Sequence, residues 1–231
     1  MMTGNTVSEG SHGRRLAEAS VAAGSGAGLW GIVYPLPYDV CLPVLIAIPA
    51  LALLAVALSR GQWSLNDDPL NGKAVISGMV HLPIAALLLR GVLDQQMPAW
   101  RPQLLTAAAL AVVLVLLVAA VERRFRPKTL WLTGLLCLAY SWGGLVYLNA
   151  ALDRSAPEVF RAQVLNRTIM ANKPYAYDIF LTAWGPYGSG HIFDVGRGFH
   201  DRVRIGDTVC ASLYRGRFGW RHFHISACPA P

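Results

Sequence analysis

The chain has 231 residues, 54% of them hydrophobic and only 14% charged. Soluble domains carry about a quarter charged residues, so that class is excluded and a membrane protein is expected. The net charge of +7 comes from basic residues spread over loops and tail, which argues against nucleic acid as a partner and for charges that set membrane topology.

Apart from Lys73, Lys128 and Lys173 every basic residue is arginine. With abundant Ala and Leu, this points to a bacterium with a GC-rich genome. In chain order, Arg14 and Arg15 precede a run of small residues, Ala17 to Gly28. Glu18, Ser20, Gly24, Ser25 and Gly26 interrupt it, so it lacks the continuous apolar region of a secretory signal. Residues 1–27 are expected to be a disordered tail, and residues 28–39, with Trp30, Tyr34 and Tyr38, an interfacial lead-in.

A helix needs about 20 apolar residues to cross a bilayer. Residues 40–152 read as a domain of four transmembrane helices: Val40–Ser59, Ala74–Leu89, Leu104–Val121 and Leu130–Leu152. The second is short and contains His81 and Pro83, and is retained because Lys73 and Arg90 bound it. Four spans place both termini on one side. None holds Asp, Glu, Lys or Arg, which argues against a pump or an ion-coupled transporter. His81 is the titratable candidate left, and a hydrogen bond to a neighbouring helix is its plainer role. Gly143 and Gly144 allow close helix approach, within the bundle or between copies in a homo-oligomer.

Arg123, Arg124, Arg126 and Lys128 cluster between the third and fourth spans, with Arg60 and Lys73 on the same side. By the positive-inside rule that side is cytoplasmic. Arg90, Arg101, Arg154, Arg161 and Arg167 lie opposite. The tail is therefore expected in the periplasm of a bacterial inner-membrane protein.

Residues 153–231 change to alternating apolar and polar residues, the pattern of half-buried strands. Five strands are expected, curled into a small SH3- or OB-like barrel. Phe160, Ala162 and Val164 share a face of the first, Asn172-Lys173-Pro174 makes a turn, and Tyr175–Trp184 is the second. His191–Val195 is the third. Gly206-Asp207 turns sharply into Thr208–Tyr214, which forms a hairpin with Trp220–Ala227 around residues 215–219. Parity points Phe223, Ile225 and Ala227 inward and His222, His224 and Cys228 outward.

Cys210 and Cys228 are the two cysteines of the tail; Cys41 and Cys137 fall in spans. A disulfide is the expectation for such a pair outside the cytoplasm, with two unrelated buried thiols as the alternative. The expected register puts Cys210 opposite a residue near Phe223, so bonding to Cys228 requires the chain end to fold back.

Asn149-Ala150-Ala151-Leu152-Asp153-Arg154-Ser155-Ala156-Pro157, Val164-Leu165, Ala183-Trp184-Gly185-Pro186 and Gly206-Asp207-Thr208-Val209-Cys210 through Cys228 together resemble a family of uncharacterised bacterial four-span membrane proteins with a C-terminal β-module. The resemblance covers the fourth span and the tail, and the earlier spans in layout. It implies that architecture and no activity, cofactor or catalytic residue. The chain departs from the family at Arg215-Gly216-Arg217 and at His222-Phe223-His224. A looser, fold-level analogy is with four-span proteins whose OB domain partners stomatin-like proteins.

No nucleophile elbow, Walker A loop, zincin helix or dinucleotide fingerprint is present, so no cofactor is expected. The leading expectation is a non-enzymatic protein whose small β-domain binds a membrane or periplasmic protein at the bilayer, with Trp184 and Tyr187 as the aromatic contacts of an exposed loop. Arg154, Arg161 and Arg167 are placed against anionic headgroups or serve simple solubility. The alternative is metal binding or sensing, in which His222 and His224 project from one strand face and His200 or a thiolate completes the shell. An enzyme without a recognisable motif stands third.

Overall fold

The computed structural model describes residues 6–59, 61–65, 73–122, 127–170 and 176–228. Arg60, Arg123, Arg124, Arg126 and the expected turn Asn172-Lys173-Pro174 lie outside them. The chain divides into two compact units: Met1–Gln95 with Arg101–Tyr147, and Gln96–Trp100 with Leu148–Pro231. The division falls a few residues before the change of composition near residue 153, and a five-residue stretch between two helices joins the tail.

The first unit is helical. Its elements are α1 (Thr6–Val33), α2 (Tyr38–Leu58), α3 (Gly78–Leu93), α4 (Arg101–Val121) and α5 (Pro127–Ala151), whose last turn belongs to the second unit. A short parallel pair, β1 (Trp63–Ser64) and β2 (Ala74–Val75), lies between α2 and α3. Among the described residues four helices are long and apolar enough to cross a membrane: Arg14–Val33, Tyr38–Leu58, Arg101–Val121 and Thr129–Ala151. The number agrees with expectation, but the membership does not. The segment read as the second span is the 16-residue α3, shorter than these, and residues 6–33, taken as tail and lead-in, are helix.

The physical reason lies in the small residues that dilute the hydropathy of α1. A β-carbon at Gly24 would run into the backbone of Met79, and one at Gly28 into the backbone of Leu82 and Pro83. These glycines are spaced four apart on one helix face and let α1 lie directly against α3. A signal that fails a test for continuous apolarity is thus a packing surface. Gly143 acts alike, because a β-carbon there would lie 2.7 Å from Leu87 of α3, whereas Gly144 faces open space. His81 is exposed.

Two buried clusters give the helix directions. Ala17, Ala52, Val56, Ile76 and Val80 gather with Val121 and Leu136, while Cys41, Leu42, Leu45, Ala86 and Leu87 gather with Trp30 and Tyr147. The first joins the first half of α1, the end of α2, the start of α3 and the end of α4; the second joins the end of α1, the start of α2, the second half of α3 and, through Tyr147, the end of α5. α1, α3 and α5 therefore run one way, and α2 and α4 the other. Glu122, just beyond α4, is buried at the first end, where its carboxylate accepts from Ser64 Oγ at 3.0 Å and from the Leu65 amide at 2.5 Å. Arg90, in the last turn of α3, donates from Nε to Gly31 O at 2.7 Å and from its guanidinium to Ile32 O, satisfying carbonyls at the end of α1.

The second unit holds a five-stranded antiparallel half-barrel, in the order β5 (His191–Asp194), β4 (Ala176–Leu181), β3 (Glu158–Met170), β6 (Thr208–Tyr214), β7 (His222–Ala227), with a short helix α6 (Arg197–His200) after β5. The expected strands are present, but the first is far longer. The first half of β3 pairs with β6 and the second with β4, with a bulge between Val164 and Asn166. A bulge bends a strand and shifts its parity. Ala162 and Val164 face the core before it; Arg167 and Ile169 stand opposite Ile179 and Tyr177 after it. Arg167 consequently donates to His200 O at 3.0 Å and Val203 O at 2.8 Å, so it holds the loop after α6. At the expected turn Gly206 has φ +93°, and Asp207 Oδ2 accepts from the Arg204 amide at 2.8 Å.

Candidate functional site

The concave side of the half-barrel is filled by its own aromatic side chains. Trp184 lies 5.0–5.6 Å, ring to ring, from Tyr187, Phe223 and Phe193, and Phe193 meets Phe223 edge-on at 5.5 Å. Trp184 and Tyr187 were expected as exposed contacts, and this is corrected. Trp184 is 4% exposed and Tyr187 packs partly buried on the same core. Their backbones exchange two hydrogen bonds, Trp184 N to Tyr187 O at 3.0 Å and Tyr187 N to Trp184 O at 2.8 Å, and this tight turn brings both rings onto the core. Burial pushes the Tyr187 phenol up to about 12.

Gln96 spans the gap between the edge strands, a role invisible in a segment that reads as a linker. Its carbonyl accepts from Phe223 N of β7 at 3.1 Å, and its side-chain amide donates to Asp194 O of β5. A single residue from between α3 and α4 thus ties the two edges, occupying backbone groups that an open sheet leaves exposed.

Cys210 and Cys228 are disulfide-bonded, with Cα atoms 4.9 Å apart. The register differs from expectation in a way that makes this easy. The hairpin loop runs over residues 215–221, so Cys210 stands opposite Ser226, and Cys228 is the diagonal neighbour on the same face. No folding back is needed. Phe223 and Ile225 are buried as parity requires, but Ala227, at the strand end, is exposed.

The three histidines of the metal reading are not brought together. His222 stacks flat on Tyr214, directly opposite in β7 and β6, at 5.0 Å and 9°. His224, opposite Ser212, is exposed. His200 is buried on α6 with its ring 5.5 Å from Tyr177 of β4. Among the described residues no group of three His, Cys, Asp or Glu side chains could hold a metal ion.

The densest polar arrangement of this unit was not foreseen: it clamps the β6–β7 loop to the end of α5. Asn149, 1% exposed, donates from Nδ2 to Trp220 O at 2.7 Å and accepts from Phe218 N on Oδ1 at 2.9 Å, while its own carbonyl accepts from Arg217 N at 2.9 Å. One turn on, Asp153 Oδ2 accepts from Gly216 N at 2.8 Å, and Ser155 Oγ accepts from Arg215 N at 3.2 Å. Gly216 has φ +76°, and a β-carbon there would strike Trp220 O and the Asn149 amide. Burial pushes the His222 imidazole down, opposed by the charge of Asp153 nearby. Asp153 is itself held below the usual carboxylate range: its slight burial raises it, and the Ser155 and Gly216 donors outweigh that effect. An Asn followed four residues later by Asp and a Gly in the hairpin were the signals available, but nothing in the sequence says that they meet. Searches of protein-family models, curated proteins and solved structures find no match to this chain.

Proposed function

We propose that this is a multi-pass protein of a bacterial inner membrane that displays its half-barrel in the periplasm as a non-enzymatic, partner-binding module. The observation that carries the membrane reading is α4. Its buried positions are confined to Gln103, Ala107 and Ala111, one narrow stripe, while Leu105, Val112 and Leu116 are at least 60% exposed. An apolar surface on all other sides is stable against lipid and a liability in water.

α3 is short, but it lies beside α1 and shares buried clusters with both ends of α2, which supports counting it as a fifth crossing. The N-terminus and the tail then lie on opposite sides, in place of the same side. The end where α1 starts has Arg14, Arg15 and Lys73, and the α4–α5 connection carries Arg123, Arg124, Arg126 and Lys128, which favours the cytoplasm for that end. The disulfide fits an oxidising compartment for the other. A core filled by its own aromatics, with Val159 and Ile192 exposed on the outer face of the sheet, supports surface contact with a protein over an enclosed substrate site.

Cysteine labelling in intact spheroplasts with a membrane-impermeant maleimide tests the topology. Glu158→Cys should react without permeabilisation and Arg14→Cys only after it; equal reactivity would remove the fifth crossing. Photo-crosslinkers at Val159 and Ile192 should each capture the same protein repeatedly, with Ile225 as the buried control, and failure at both exposed sites would remove the partner-binding role.

A further inference from the structure

The β6–β7 loop reads Arg215-Gly216-Arg217-Phe218-Gly219-Trp220-Arg221 and contains no acidic residue. All three arginines are exposed, and none has an acidic partner among the described residues. Phe218 is 44% exposed and meets the half-buried Trp220 edge-on at 5.4 Å, so an aromatic pair stands between the basic side chains. The Asp153 carboxylate, which touches this loop, is occupied by Gly216 N and Ser155.

The height of this loop is set by Asn149. Three of its hydrogen bonds hold Arg217, Phe218 and Trp220 to the last turn of α5. The apolar stretch of α5, Thr129–Ala151, has 23 residues and so extends about 35 Å, slightly more than the roughly 30 Å hydrocarbon core. A loop hydrogen-bonded to its last turn stands at the depth of the headgroups. Tryptophan and phenylalanine with arginine are the residues that suit that layer, the rings at the acyl boundary and the guanidinium groups at phosphates.

We infer that the Arg215–Arg221 loop is a docking surface for anionic lipid headgroups of the leaflet in which α5 ends. This rests on the proposed crossing by α5 and goes beyond it by assigning a ligand chemistry to a particular loop. The clamp at Asn149 holds the loop ready in position, so binding requires no ordering of the backbone.

The test uses the full-length protein in nanodiscs of phosphatidylcholine alone or mixed with phosphatidylglycerol, followed by hydrogen–deuterium exchange. Residues 215–221 should exchange about tenfold more slowly or better in the anionic discs, given the attraction of three arginines, and added salt should reverse the effect. The triple variant Arg215→Gln, Arg217→Gln, Arg221→Gln should abolish the difference. Phe218→Ser, which keeps every arginine, should reduce it and serves if the triple variant does not fold. Equal exchange in both discs would overturn the inference, as would the same slowing by inorganic phosphate in phosphatidylcholine discs, or slowing only when a protein extract is added. Protection of Thr129–Ala151 from added protease in the same discs reports separately whether α5 is embedded; its loss would refute the proposed crossing instead.

Discussion

Replacing Asn149 by Ala tests whether the end of α5 and the β6–β7 loop form one cooperative piece. The side chain is buried and makes two hydrogen bonds, to Trp220 O and from Phe218 N. Truncation strands one acceptor and one donor, each with a penalty of about 1–3 kcal/mol when water is excluded, so the loop should lose about 3 kcal/mol. At 1.4 kcal/mol per tenfold, that is about a hundredfold rise in the open population. Native-state hydrogen exchange measures this directly. The informative amides are Gly216 and Arg217, since their acceptors, Asp153 Oδ2 and Asn149 O, survive the substitution. Asn149→Asp, which keeps the acceptor for Phe218 but sets a buried carboxylate oxygen against Trp220 O, should open the loop at least as much as Asn149→Ala. Unchanged exchange at Gly216 and Arg217 in Asn149→Ala would show that the bonds are incidental and would refute the clamp.

Four further outcomes follow from the same geometry. Gly216→Ala forces a side chain into the left-handed region and into Trp220 O and Asn149; thermal unfolding should show a loss of about 2–4 kcal/mol, and full stability would contradict the loop conformation. Reducing the Cys210–Cys228 disulfide, which closes a separation of 18 residues, should destabilise the half-barrel by about 3 kcal/mol, read as a lower unfolding midpoint with reductant. Trp184→Ala should remove about 3–5 kcal/mol as a core truncation; a loss within about 0.5 kcal/mol, normal for a surface site, would return Trp184 to the exterior. For His222, the folded imidazole sits below its unfolded value, so the unfolded chain binds more protons. Stability is then level above the unfolded value of about 6.5 and falls as pH drops below it. His222→Phe should flatten that fall, and an unchanged pH profile would contradict a half-buried imidazole held below its ordinary value.

Much of the second unit was legible because strand periodicity is local. Alternation identified β3 to β7, the face shared by Ala162 and Val164 and the inward direction of Phe223 and Ile225. It failed where a distant contact decides. The bulge at Leu165 turns Arg167 toward the carbonyls of His200 and Val203. The hairpin register shifts because Asn149 and Asp153 hold a longer loop than the turn residues imply. Trp184 and Tyr187 sit in a Gly- and Pro-rich stretch whose turn residues Gly185 and Pro186 are indeed exposed, yet the turn carries both rings onto the core. His222 and His224 share a face as parity requires, but His222 stacks on Tyr214 and His200 packs on Tyr177, so spacing in sequence gave no guide to a shared site.

The sequence by itself determined the membrane-compatible composition, the apolar helices α2, α4 and α5, the strand faces and the availability of one cysteine pair in the tail. Each follows from the residues within a single element, through the length of an apolar run or its period. The tertiary structure alone decided that α1 is a helix packed on α3, that Gln96 ties the two sheet edges, and that the end of α5 holds the basic aromatic loop. In those cases the meaning of a residue depends on what lies against it. The glycines of α1 weaken an isolated helix and strengthen one that has a partner close enough to use the space they leave.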